Sequence, residues 1–289
     1  MRFKSLNPWF LGARPKTLPA AIVPVLVGTS SAHKDLPGDS INWWLALCAL
    51  MVAMFLQIGV NFANDYSDGI RGTDKNRIGP TRLVESGLAK PKAVRFAAFL
   101  CFFVAAVFGL VIAFNTTFWF LLVGAFSILA AWGYTGGKNP YGYRGLGEVS
   151  VFLFFGLVAT YGSYSIQTMK FSLFALLVSI PIGLLACALL AINNLRDLNN
   201  DAKSDKKTLA VRLGEKRAKD FYVYLLITAH IFAGLVAPIT LILGIRTLQM
   251  VKDLRSKSYK DRLITLLADT ARLQLLFGVI MSVTIFFSK

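Results

Sequence analysis

Acidic side chains are scarce in this chain: Asp and Glu together number 15 of 289 residues, and all charged residues make up 16%, against roughly 25% in ordinary globular proteins. Histidine occurs twice, at His33 and His230, far from each other and from any cysteine, which argues against a zinc site. Cys48, Cys101 and Cys187 all sit in apolar stretches without CxxC spacing. They read as small packing residues rather than as a disulfide framework. Neither P-loop nor EF-hand spacing occurs. The chain also lacks low-complexity tracts and any repeat of 20–50 residues, which sets aside disordered, collagen-like and solenoid architectures.

What the sequence has in abundance is apolar surface. Residues of the AVILMFWYC set make up 55%, including 23 Phe, and mean hydropathy is +0.59. Length alone suggests two soluble domains, but this composition points to one polytopic all-α membrane domain over residues 1–289. A hydrocarbon span takes about 20 residues. Runs near that length lie at Leu18–Ser31, Trp43–Ala63, Ala93–Ala113, Thr117–Tyr134, Glu148–Ile166, Phe171–Ile192, Phe221–Leu235, Pro238–Leu248 and Ile264–Phe287. The first, seventh and eighth are short or Pro-interrupted. Eight or ten spans stay open, since Tyr222–Leu243 reads equally as one kinked helix. Pro19, Pro24 and the long polar and aromatic lead before them argue against a cleaved N-terminal signal.

The formal charge of +16 would suggest nucleic-acid binding in a soluble domain. In a membrane protein it reads as basic loops on one face, with no nucleic-acid partner. Distributing the 31 Lys and Arg over nine spans leaves Lys34, Lys170 and Lys289 on one side and 28 on the other. That asymmetry predicts a multi-pass protein of the cell membrane, with the N-terminus and the basic loops cytoplasmic.

Two acidic clusters end the second and sixth runs. Asn61, Asn64, Asp65 and Asp68 recur at i, i+3, i+4 and i+7, one helical face, and Asn193, Asp197 and Asp201 recur every four residues. The nine-span topology sends both to the cytoplasmic side. Solvated helix ends laced with ion pairs would account for one such cluster. Two on one membrane face, both rich in Asn, fit a site better, because unpaired like charges near lipid are costly. Hard oxygens of this kind suit magnesium, which bridges few carboxylates to phosphate oxygens. Arg71, Lys75, Arg77 and Arg82 follow the first cluster; Arg196, Lys203, Lys206, Lys207 and Arg212 accompany the second. Carboxylates beside Arg and Lys make a seat for a diphosphate.

With Asn64-Asp65-x-x-Asp68 followed by Asp74, and Asp197-x-x-x-Asp201 followed by Lys206 and Thr208-Leu-Ala-Val-Arg212-Leu-Gly214, the whole chain resembles the UbiA-type intramembrane aromatic prenyltransferases. The stretches Arg14-Pro-Lys-Thr-Leu-Pro19, Tyr134-Thr-Gly-Gly137 and Arg144-Gly-Leu-Gly-Glu148 resemble the branch acting on 1,4-dihydroxy-2-naphthoate in menaquinone synthesis. Two departures stand out: Asp205 where Gly is expected before Lys206, and Lys138 where Pro is expected. The resemblance implies a UbiA-like bundle that moves a polyprenyl chain from its diphosphate to an aromatic carbon. It implies Mg2+ held by Asp65, Asp68, Asp197 and Asp201, with Asn64 and Asn193 as secondary ligands. Arg71, Lys206 and Arg212, with Asn64 and Asn193, would meet the diphosphate; Tyr134, Lys138, Arg144 and Arg196 would meet the aromatic substrate. Phe55, Phe62, Tyr134, Phe152 and Tyr161 are candidates to face an allylic cation, or simple packing residues. Another aromatic acceptor such as 4-hydroxybenzoate, and a secondary transporter, are the competing readings.

Overall fold

The computed structural model describes residues 7–38, 40–73 and 82–288, and among them every regular element is helical. Asp74, Lys75 and Arg77 lie outside the described residues. The N-terminal helices α1 (Pro8–Gly12) and α2 (Pro19–Asp35) are separated by a short 3-10 turn, Pro15–Thr17, and bend by 48°. Proline opens each, where its missing N–H costs nothing. Arg14 takes a left-handed φ of 53° at the bend.

The long helices follow their caps closely. In α3 (Trp43–Arg71) Asn42 accepts from Leu45 N–H, and Gly72 at φ 68° closes the other end. Helix α4 (Pro91–Asn115) returns beside it, and α5 (Trp119–Gly133) is short. Helices α6 (Gly147–Val151) and α7 (Gly162–Thr168) continue into one another through a π-helical stretch, Phe152–Tyr161. Ser172 caps α8 (Leu173–Lys203), and Thr208 caps α9 (Leu209–Val236), which is kinked at Gly214 where φ is 75°. A 3-10 turn, Pro238–Leu243, leads to α10 (Gly244–Arg255), and α11 (Tyr259–Phe286) ends the described chain.

All nine apolar runs fall on helical segments, but they are not nine equal spans. Among the described residues six helical stretches, with α6 through α7 counted as one, are long and apolar enough to cross a membrane, or seven if the bent α1–α2 pair is one span. Helix α5 has 15 residues. The run expected at Pro238–Leu248 divides between the 3-10 turn and the charged helix α10. Ending α9 at Val236 also sets aside a single kinked Tyr222–Leu243 helix.

The two largest of four apolar clusters among the described residues frame the bundle. Ile182, Leu185, Leu226, Phe277 and Met281 join α8, α9 and α11, with Val23 and Val27 of α2. Phe62, Ala63, Val94, Ala98 and Phe102 join α3 to α4. Close crossings depend on glycine: a Cβ at Gly28 would collide with the Thr160 carbonyl oxygen. The outer surface carries exposed Phe114, Trp119 and Phe171, as lipid contact requires. The bundle has two distinct ends. At one, Lys34 Nζ lies 3.2 Å from Ser288 Oγ and over the Phe174 ring. At the other, the acidic ends of α3 and α8 meet, and Asn200 Nδ2 donates to the Thr73 carbonyl over 2.7 Å.

Candidate active site

The two acidic clusters converge through a cation. Lys206 Nζ stands 3.6 Å from Asp68 Oδ2 and 3.9 Å from Asp201 Oδ1, so one lysine ties the end of α3 to the end of α8. Arg82 Nη2 reaches Asp68 Oδ2 over 3.5 Å. Tyr143 donates to Asp68 Oδ1 over 2.5 Å, and its ring lies beside two cations, with Arg71 Cζ 5.2 Å and Lys206 Nζ 5.0 Å from its centroid. Asp68 is 1% exposed. A carboxylate so buried persists because cations and a phenol surround it.

The other carboxylates are equally engaged. Asp65 accepts from Leu83 N–H at 2.8 Å and Val84 N–H at 3.0 Å, fixing the turn that delivers Arg82. Arg196 holds Asp197 through both Nε and Nη2, at 2.8 and 2.7 Å, and also donates to Asn193 Oδ1 at 2.9 Å. The loop between α5 and α6 folds over this end. Arg71 donates to the carbonyls of Thr135 and Gly137, and Thr135 Oγ1 donates to Asn64 Oδ1 over 2.7 Å. Burial pushes the Tyr143 phenol well above its ordinary value, with the Asp68 charge adding to it. Burial, and then the Glu148 charge, do the same for Tyr134. Both phenols therefore stay protonated donors across neutral pH.

Behind the polar end lies a cavity of about 1410 Å³. Its polar wall includes Arg14, Asn64, Asp68, Arg82, Asn193, Arg196 and Lys206, with Tyr134 beside them, whereas Tyr161 lines the cavity at the opposite end, where its hydroxyl accepts from Ser172 N–H. Small and apolar side chains such as Val52, Ala106, Gly109, Leu121, Gly124 and Phe155 continue it into the bundle. Asn61 secures its mouth by donating to Ala13 O at 2.9 Å and Thr17 Oγ1 at 3.1 Å.

Not every candidate residue gathers here. Lys138 and Arg144 are exposed and outside the cavity wall, as is Arg212, whose Nε donates to Lys207 O over 3.2 Å. Phe55 and Phe62 pack between α3 and α4, and Phe152 packs against α8. Conversely, Tyr143 and Thr135 were not distinguishable from loop residues in sequence, because their partners lie 75 and 71 positions away. The two departures from the family pattern are local: Asp205 adopts φ 52°, a conformation glycine takes freely and aspartate tolerates.

Among the described residues no three His, Cys, Asp or Glu side chains converge as a self-sufficient metal cage. Magnesium does not need one, since it is usually held by one or two carboxylates and the phosphate oxygens of its ligand. Buried carboxylates interleaved with Arg82, Arg196 and Lys206 at the mouth of an apolar cavity fit that mode. Fold and site together define a multi-pass membrane protein built to hold a charged head group beside a long apolar one.

Comparison with known proteins sharpens that class. The profile of the UbiA prenyltransferase family matches residues 21–264. The chain is 44% identical over 281 residues to a 1,4-dihydroxy-2-naphthoate octaprenyltransferase of Mycobacterium tuberculosis, covering 95% of each protein. It is 31% identical to the Bacillus subtilis protein of the same description, covering 95% of this chain and 91% of that one. Among solved structures, a UbiA homolog from Archaeoglobus fulgidus bound to GPP and Mg2+ superposes with a TM-score of 0.68 at 14% identity, over 96% of this chain and 100% of that one. The chain belongs to the UbiA prenyltransferase family. It is a prenyltransferase.

Proposed function

We propose that this enzyme transfers a polyprenyl chain from its diphosphate to 1,4-dihydroxy-2-naphthoate, releasing diphosphate and carbon dioxide and giving a demethylmenaquinol. The observation that carries the reading is the Asp68–Lys206–Asp201 junction at the mouth of the 1410 Å³ cavity. The names of relatives at 31–44% identity direct it to the naphthoate. The charged residues would stabilise a leaving diphosphate, and the apolar cavity would keep the allylic cation from water. We place the polar end at the cytoplasmic face of the cell membrane, because that end carries most of the basic residues.

Each side chain has a role set by its position. Lys206, Arg82 and Arg71 supply positive charge where negative charge develops on the diphosphate, with Asn64 and Asn193 as neutral partners and Arg212 farther out. Asp68 and Asp201 are the carboxylates closest to that charge; Asp65 and Asp197, fixed by backbone N–H groups and by Arg196, stand behind them as the remaining acidic ligands. Mg2+ held by these aspartates would neutralise the diphosphate and make it a better leaving group. Asp68 and Asp201 would hold the metal, and Lys206 and Arg82 beside them would meet phosphate oxygens. Arg196 lines the cavity and is the best-placed partner for the acceptor carboxylate, ahead of the exposed Lys138 and Arg144. Tyr134 is a neutral donor on the same wall.

The ring hydroxyls enrich the carboxylate-bearing carbon in electrons, so the allylic cation is attacked from there. The C–C bond forms, the ring carbon becomes tetrahedral, and loss of carbon dioxide returns its bonding electrons to the ring. Purified enzyme given a polyprenyl diphosphate should release diphosphate with the naphthoate as acceptor and Mg2+ present. Equal or faster turnover with 4-hydroxybenzoate would redirect the assignment, and absence of diphosphate release with either acid would refute it.

A further inference from the structure

A second cluster of charge lies away from the cavity's polar mouth, on the outer face of α10 and α11. Arg246 Nη2 stands 2.8 Å from Asp269 Oδ1, and Arg272 Nη1 stands 3.4 Å from the same oxygen. Two guanidinium groups share one carboxylate, leaving one positive charge in excess. Arg246 Nε is buried without a hydrogen-bond partner. Arg272 is 68% exposed and Arg246 39% exposed at the side chain. Ion pairing alone does not explain this arrangement, since one arginine already balances Asp269.

The height of the pair identifies its surroundings. From Leu273 to Ser288 the chain carries no Asp, Glu, Lys or Arg, and the same holds from Phe221 to Ile245. Arg246 and Arg272 therefore mark the border at which the charge-free part of the bundle begins. The other basic residues of this hairpin, including Lys252, Arg255 and Lys257, lie nearer the Ser256–Ser258 turn and farther toward water. Around the pair, Ile242, Ile245, Leu248 and Leu276 are all exposed. Cations at the edge of the hydrocarbon, flanked by lipid-facing aliphatic side chains, match one ligand shape: a phosphodiester with acyl chains below it.

We propose that Arg246 and Arg272, held side by side by Asp269, form a binding site for the phosphate group of an anionic phospholipid on the outer surface of α10 and α11. Asp269 sets the spacing of the two guanidinium groups and cancels one charge, and the remaining charge selects an anionic lipid over a zwitterionic one. The site is independent of the prenyl-transfer reading, because it shares no residue with the cavity.

The test uses the full chain in detergent, titrated with phosphatidylglycerol, phosphatidylcholine or inorganic phosphate and followed by native mass spectrometry and by thermal unfolding. Each Arg near a membrane surface contributes about 1 kcal/mol toward anionic lipid, about fivefold in binding. Arg272→Gln leaves Arg246 paired with Asp269 and removes only the excess charge. It should weaken phosphatidylglycerol retention by about fivefold relative to wild type while leaving phosphatidylcholine retention unchanged. The control Lys252→Gln/Lys257→Gln should keep the preference. Unchanged phosphatidylglycerol preference in Arg272→Gln would overturn the proposal, as would an equal loss in the control, which would mean diffuse attraction. Competition by millimolar inorganic phosphate would also overturn it, in favour of a free-phosphate site.

Discussion

Replacing Asp68 by asparagine removes one charge and almost no volume, so its effects isolate electrostatics. The carboxylate has Arg82 at 3.5 Å, Lys206 at 3.6 Å and the Tyr143 hydroxyl at 2.5 Å. At an effective dielectric near 20, each of those two ion pairs has a gross Coulomb energy of about 4–5 kcal/mol. Desolvation offsets most of it. What the substitution exposes is the cost of removing the carboxylate shared by two cations, 7% and 19% exposed at the side chain, although Lys206 keeps its 3.9 Å contact to Asp201. Breaking a buried pair from one side costs about 3–5 kcal/mol, and the retained amide oxygen places this variant near the lower figure. Diphosphate release should fall by at least about 10²-fold, the scale of losing one electrostatic contact to a transition state. Unfolding in mixed detergent measures the first quantity and single-turnover release the second. Asp205→Asn is the control: its pair with Lys207 lies at the exposed surface, and it should change stability by less than about 0.5 kcal/mol. Asp68→Asn with stability and turnover both near wild type would show that this carboxylate neither balances the two cations nor serves the reaction.

Other consequences follow from single contacts. The Tyr143 phenol is raised by burial and by Asp68, so its proton-dependent contribution is complete below an ordinary tyrosine value of about 10 and is lost only as pH climbs through the higher folded value. Phenolate absorbance attributable to Tyr143, by difference from Tyr143→Phe, should be absent at pH 9; its appearance there would contradict the placement. Gly28→Val should destabilise the bundle by more than about 3 kcal/mol in detergent unfolding, beyond ordinary overpacking, because the new Cβ meets a backbone carbonyl that cannot rotate away. Arg196→Lys should raise KM for the naphthoate by about tenfold or more, the scale of one hydrogen bond to a charged group, and Arg144→Gln should leave KM unchanged.

Helix existence and the location of the acidic ends were legible in the sequence because both depend on local spacing. Four polar residues of one α3 face recur at helical intervals, and Asn61, Asp65 and Asp68 are indeed buried together. The segregation of Lys34 and Lys170 from the other cations was likewise readable, and Lys34 sits at the end opposite Lys206. Span lengths were less legible, because an apolar run such as Pro238–Leu248 does not reveal that a proline turn and a charged helix divide it. The roles of individual loop residues were hidden altogether. Tyr143 and Arg144 are neighbours in sequence, yet one donates to Asp68 and the other is exposed and outside the cavity wall. Nothing in the spacing of a glycine-rich loop fixes which side chain faces inward; the Arg71 contacts to Thr135 and Gly137 carbonyls do.

In the proposed reaction the prenyl chain joins the ring carbon that loses its carboxylate. Enzyme in membranes, given a polyprenyl diphosphate and 1,4-dihydroxy-2-naphthoate labelled in the carboxyl carbon, should release labelled carbon dioxide in equal amount to diphosphate and prenylated product. A prenylated product that retains the label would show that the chain joins a different ring position.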